Sequence, residues 1–268
     1  CNSFSISKNN LELTMPYYKN GTLDHFIKDC IKMKEEIPEN VIWLYFLQLI
    51  QGLRVLHKNN IIHRDLKPSN IFITDFFNVK IGDFNSSKIL QINQKYTSTC
   101  IGTPMFMSPE VINGESYSYD IDIWALGCIL YECITKKKPF YSDNWGKLIV
   151  KISLCNVCPI EREDISIDLK KWCYNLLQEK RPNIETIHRK TASLSLDYGV
   201  KSDGIIKHKV FSKMVSLSYE YENISEFIKK LKNDSVLVNE EQSKELNAFV
   251  KNNLLVSKCK FFNRKRKI

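Results

Sequence analysis

Ile61-Ile62-His63-Arg64-Asp65-Leu66-Lys67-Pro68-Ser69-Asn70 is the stretch on which the reading of this chain turns. Within it an Asp is followed two places on by a Lys and five places on by an Asn. Ile61-Ile62 leads in and Ile71-Phe72-Ile73 leads out, so two short strands with a rigid loop between them are expected. Such a loop suits phosphoryl transfer. Its carboxylate can orient a hydroxyl, its ammonium can neutralise charge on the moving phosphoryl group, and its amide oxygen can hold a metal ion. Each of these residues taken singly reads as an exposed loop residue; the joint pattern is hard to reach by chance.

The chain has 268 residues, 43% hydrophobic and 26% charged, which is ordinary for a soluble globular protein of one large domain or two small ones. Its net charge of +9 is uneven: residues 1–190 carry 24 basic and 21 acidic side chains, residues 191–268 carry 15 and 9. Nine cysteines without paired spacing point to reduced thiols and a cytoplasmic or nuclear home. Cys155-Asn156-Val157-Cys158 has no second pair at a zinc-ribbon spacing and reads as free thiols. The longest apolar run, Ile121–Ile134, is interrupted by Asp122 and Glu132, so no membrane partner is expected. A first residue that is Cys rather than Met points to a fragment.

Leu11-Glu12-Leu13-Thr14-Met15 alternates as a strand does, and Pro16 stops its ladder. Tyr17 to Asn20 reads as a connector, with Gly21-Thr22 before a helix starting near Leu23. From Val41 to His57, apolar residues recur at steps of three and four, and Pro38 stands where a helix start tolerates it. Residues 71–82 predict two short strands around Asp75–Asn78, and residues 86–107 a long polar loop. Asp120 to Cys133 is an apolar helix whose negative end faces Lys136–Lys138, closed by Pro139. Further helices are expected at Trp145–Ser153, Asp168–Leu177, Ile184–Lys190, Ser225–Leu231 and Glu240–Leu255.

His63 to Asn70 resembles the catalytic loop of protein kinases, H-R-D-L-x-x-x-N, and Asp83-Phe84 follows at that family's spacing. Gly102-Thr103-Pro104-Met105-Phe106-Met107-Ser108-Pro109-Glu110 resembles the segment ending in Ala-Pro-Glu, and Asp122 to Gly127 the central helix. The resemblance covers roughly residues 11–190 and implies an α+β, protein-kinase-like fold. In it a mainly helical large lobe (to residue 190) carries a remnant of the small-lobe sheet, and residues 191–268 form a C-terminal extension.

The resemblance also implies a division of labour. Asp65 would orient the substrate hydroxyl, Lys67 would contact the phosphoryl group, and Asn70 with Asp83 would hold magnesium. Met15 falls at the gatekeeper, Pro16, Tyr17 and Tyr18 at the hinge that meets the adenine of ATP, and Phe72 under the adenine. His63, Arg64 and Phe84 would be structural, Asp122 would anchor the catalytic loop, and Arg181 would pair with Glu110. Lys67 and Thr103 follow the serine/threonine pattern, so the expected partner is a protein substrate with Ser or Thr hydroxyls. Thr99 is the expected phosphorylation site, with Arg64 to receive it. Thr99 to Pro104 and Asp122 to Glu132 look most like NIMA-related kinases, while Lys67 to Phe72 also resembles the kinases of the initiation factor 2 alpha subunit.

Two departures stand out. The family's Asp-Phe-Gly reads Asp83-Phe84-Asn85, where Asn is the next residue after Gly to tolerate left-handed backbone, so a stiffer loop is expected. No glycine-rich phosphate lid and no phosphate-clamping Lys precede the hinge, so residues 1–268 alone are not expected to turn over. The competing reading is a non-catalytic kinase-like module. The basic end, Lys258 to Lys267, reads as a solvated tail rather than a nucleic-acid surface, and a regulatory partner is expected through residues 191–268.

Overall fold

The computed structural model describes residues 3–7, 10–75, 77–90 and 103–197. They fall into two compact units, one containing residues 1–19 and the other beginning at Asn20. In the first, β1 (Ser3–Ser7) pairs antiparallel with β2 (Asn10–Thr14), Ser3 opposite Thr14 and Ser7 opposite Asn10. β2 ends at Thr14, one residue before the expected limit. The strand β1 was not expected, because Ser5 and Ser7 are poor strand formers and its pairing partner, not its own composition, makes it extended.

The second unit is mainly helical. α1 (Leu23–Met33) starts at Thr22, whose hydroxyl accepts from the His25 N–H, and ends at Lys34 in a left-handed conformation. Its Leu23, Phe26, Ile27 and Cys30 share the buried face. α2 (Glu39–Lys58) buries Val41 to Leu47 and Leu49, Ile50 and Leu53, and runs up to the short strand β3 (Ile61–Ile62). β4 (Ile71–Ile73) and β5 (Val79–Ile81) form an antiparallel hairpin, while β3 pairs with β6 (Lys88–Ile89). β6 and a 3₁₀ turn at Pro104–Phe106 lie inside the stretch expected to be loop throughout. Two residues of strand carry too little alternation to be seen in sequence; β6 exists because β3 lies opposite it.

α3 (Pro109–Ile112) is a single turn, and α4 (Asp120–Thr135) is buried at every position from Ile121 to Ile134. A helix apolar on all sides must be surrounded, and each large side chain so buried contributes about 1.5–3 kcal/mol. α6 (Ile167–Leu176) packs so closely on α4 that a Cβ on Gly127 would stand 2.8 Å from the Leu176 Cβ. α5 (Trp145–Ser153) follows α4, and α7 (Ile184–Asp197) packs on α2, continuing through residue 190. The helices expected at 225–231 and 240–255 lie outside the described residues. No described helix is long and apolar enough to cross a membrane.

Candidate active site

The loop between β3 and β4 is built around Asp122 on α4. This carboxylate is 1% exposed, and its Oδ2 accepts from the His63 N–H at 2.9 Å while Oδ1 accepts from the Arg64 N–H at 3.0 Å. The ring of His57, the penultimate residue of α2, adds an Nε2–H donation to Oδ2 at 2.9 Å. Three donors answer the cost of burying the charge. They also hold Arg64 at φ 67, a conformation a non-glycine residue adopts only when its surroundings over-determine it. Nothing in the sequence singles out His57, which reads there as the last residue of a helix. The signal that could have found it is its position at the end of α2, one turn from the loop that Asp122 anchors.

His63 is fully buried and its Nε2–H donates to the Gly82 carbonyl at 3.1 Å. Its ring also meets the Phe84 ring edge-on, with centroids 5.2 Å apart. Both neighbours of Asp83 are therefore fixed to one histidine. The Gly82 N–H donates to the Asn70 carbonyl at 2.9 Å, which brings the second carboxylate-bearing loop alongside the first. A side chain on Gly82 would force the Phe72 ring to shift, since its Cβ would lie 2.6 Å from that ring. Asp83 itself is exposed and takes φ 61. The left-handed residue is thus Asp83 and not Asn85: Asn85 sits in a turn closed by the Ser87 N–H on the Phe84 carbonyl and has no positive φ. The stiffening expected from Asn85 has no backbone cause.

At the heart of the loop, Asp65 collects donors. Lys67 Nζ lies 2.7 Å from Oδ2, Asn70 Nδ2 3.1 Å from the same oxygen, and the Thr103 hydroxyl donates to Oδ1 at 2.9 Å. Lys67 also donates to Thr103 Oγ1 at 2.8 Å, and Asn70 Nδ2 to the Asp65 carbonyl at 2.8 Å. Burial pushes the Asp65 carboxyl pKa up, but the hydrogen bonds from Lys67, Thr103 and Asn70 outweigh it and hold the group below the usual carboxylate value. Asp65 therefore stands as a charged acceptor. With the Asn70 amide nitrogen spent on Asp65, its amide oxygen is left to face a cation.

Arg64 turns its Nε to the Ser86 carbonyl. Thr99 lies outside the described residues. Arg181, 4% exposed on its side chain, pairs with Glu110 and lies 5.3 Å over the Trp124 ring, which in turn stacks on Phe140. Phe106, three residues after Thr103, is covered by the Lys138 ammonium at 4.5 Å, and Lys138 is held by both oxygens of Glu132. In the sequence Lys138 reads only as one of three lysines at the end of an apolar helix, because it lies far along the chain from Thr103. Met15 and Tyr17 are exposed, at 65% and 75%; they and Pro16 and Tyr18 belong to the first unit.

A divalent cation fits the donor set of the second unit. Asn70 and Asp83 offer two hard oxygens, and magnesium typically takes only one or two protein carboxylates or amides and completes its shell with water and phosphate. Among the described residues no three His, Cys, Asp or Glu side chains cluster as a metal cage, as such a site does not need one.

The sequence pattern of the protein kinase domain matches residues 1–192, reaching further towards the start than the stretch from residue 11 that the motifs cover. The chain is 37% identical over 191 residues to the serine/threonine-protein kinase nekl-2 of Caenorhabditis elegans, covering 68% of this chain and 53% of that protein. It is 37% identical over 150 residues to Nek3 of Mus musculus, with 56% and 29% covered. Against the G2-specific protein kinase nim-1 of Neurospora crassa it is 32% identical over 206 residues, with 66% and 24% covered. The chain thus spans about half the length, or less, of these curated relatives.

Proposed function

Since the chain belongs to the protein kinase family and resembles its NIMA-related members, we propose that it transfers the gamma-phosphoryl group of ATP to serine or threonine hydroxyls of a protein substrate. The observation that carries this reading is the charged Asp65 carboxylate, held by Lys67, Asn70 and Thr103 on a loop locked from beneath by Asp122. A substrate hydroxyl approaching Asp65 is oriented by it and gives it a hydrogen bond, and Lys67 beside it offsets negative charge on the group in transit. Asn70 and Asp83 would hold the magnesium ion, which supplies charge neutralisation on the phosphates. By their places in the family's pattern, Phe72 is assigned to the adenine floor, Pro16, Tyr17 and Tyr18 to the hinge, and Met15 to the gatekeeper. In this reading the kinase domain ends near residue 190 and Thr99 is the modified residue of the activation loop, with Arg64 as its receiver. The chain's own contribution is positioning and electrostatics, because the transition state asks for little covalent help.

Intact Asp65, Lys67, Asn70 and Asp83 favour this reading over a non-catalytic module. The test is phosphotransfer to a generic Ser/Thr protein substrate with magnesium-ATP, using the full-length protein and its Asp65→Asn variant. A loss of about 10²–10⁴ in rate with unchanged melting is expected. A variant within a factor of a few of the native rate would show that Asp65 is not the hydroxyl-orienting group.

A further inference from the structure

Ser108 stands where the family's Ala-Pro-Glu segment has Ala, and the proposed reaction makes no use of its hydroxyl. The residue is 1% exposed and its Oγ is buried with no hydrogen-bond partner. A buried orphan hydroxyl is costly, and native proteins answer it with a protein group or an ordered water. Ser108 borders a recess of about 20 Å³, lined also by Arg64, Asp65, Thr103, Phe106 and Asp122. A water needs roughly 10–15 Å³ and two to four polar partners, so the recess has room for one.

The partners are at hand. Among the hydrogen bonds described, Asp122 Oδ1 accepts only from the Arg64 N–H, and Asp65 Oδ1 only from Thr103. Each of these oxygens can accept once more. We propose that one ordered water occupies this recess, accepting from the Ser108 hydroxyl and donating to the carboxylates of Asp65 and Asp122. The water links the segment carrying Thr103 and Ser108 to the catalytic loop and to α4, beside the direct contact from Thr103 to Asp65. Ser at position 108 is then explained by what it binds and not by packing, for which Ala would serve.

The test does not depend on phosphotransfer. A crystal structure of the chain at a resolution that shows ordered water should carry density at hydrogen-bonding distance, roughly 2.5–3.0 Å, from Ser108 Oγ. Ser108→Ala, followed by thermal melting, should lower Tm by roughly 2–4 °C, because the water loses its donor. In a dry recess the same variant removes an orphan hydroxyl and Tm holds or rises. Native density that is absent overturns the proposal whatever the variant does, and so does a Ser108→Ala protein that melts no lower than the native one.

Discussion

At Asp65 two opposing effects meet on one carboxylate. Burial favours the neutral acid, and three donors favour the charge; the donors win, and the pKa falls below the usual carboxylate value. A carboxyl whose folded pKa is depressed stabilises the fold above its unfolded value, and this contribution disappears as pH falls through the lower folded value. Thr103 is the donor that can be removed without touching the loop itself. In Thr103→Ala, Asp65 keeps Lys67 and Asn70 but loses the bond to Oδ1. Its carboxyl should then titrate at higher pH than in the native protein, followed by carbon NMR of the side chain, and the acid loss of stability should begin at correspondingly higher pH. An unmoved Asp65 titration would mean that the Thr103 hydroxyl is not bonded to it in solution. The positive φ at Asp83 belongs to this scale too: the strain sits on the residue that points its carboxylate outwards, two places before the position that glycine occupies in the family.

At the scale of elements, the site depends on how closely α4 lies against its neighbours. Asp122 can reach the catalytic loop only because its helix is sunk into the core, and Gly127 is what lets α6 come near enough on another face. A Cβ at 127 would stand 2.8 Å from Leu176 Cβ and 3.0 Å from the Leu177 side chain, and the first of these is anchored to backbone and cannot swing away. Gly127→Ala would gain about 1 kcal/mol in helix propensity at an ordinary position. Here overpacking should dominate, for a net loss of about 1–3 kcal/mol in urea unfolding. A variant as stable as the native chain would show that α4 and α6 have slack between them. The short elements around the loop work differently. β3, β4, β5 and β6 have two or three residues each, too few to be stable alone, and they persist because each pair brackets a loop that is held from elsewhere.

Across the whole second unit, the Arg181–Glu110 pair joins residues 71 positions apart, tying the turn after Thr103 to the segment before α7. Arg181→Met leaves the Glu110 carboxylate without its partner and should cost about 3–5 kcal/mol, while adding Glu110→Met should recover much of it. Urea unfolding of the two singles and the double variant measures this, and single variants that cost under about 1 kcal/mol would show the pair to be solvent-screened. What could be read from the chain follows the same division by distance. Asp65, Lys67 and Asn70 lie within six residues, so their grouping on one loop is a matter of local geometry and visible in sequence. α2 announces itself because helical periodicity is set by bonds four residues apart, and α4 by the length of its apolar run. β1 does not, because its serines are poor strand formers, and β6 does not, because two residues show no alternation; each is extended because its partner lies opposite. The sequence by itself determined the loop chemistry and the helical frame. Tertiary structure alone decided that His57 joins Asp122, that Thr103 reaches Asp65 across 38 positions, that Lys138 covers Phe106, and that Asp83 takes the left-handed turn. Those contacts are settled by how buried surfaces fit one another, and no local pattern in the chain encodes that fit.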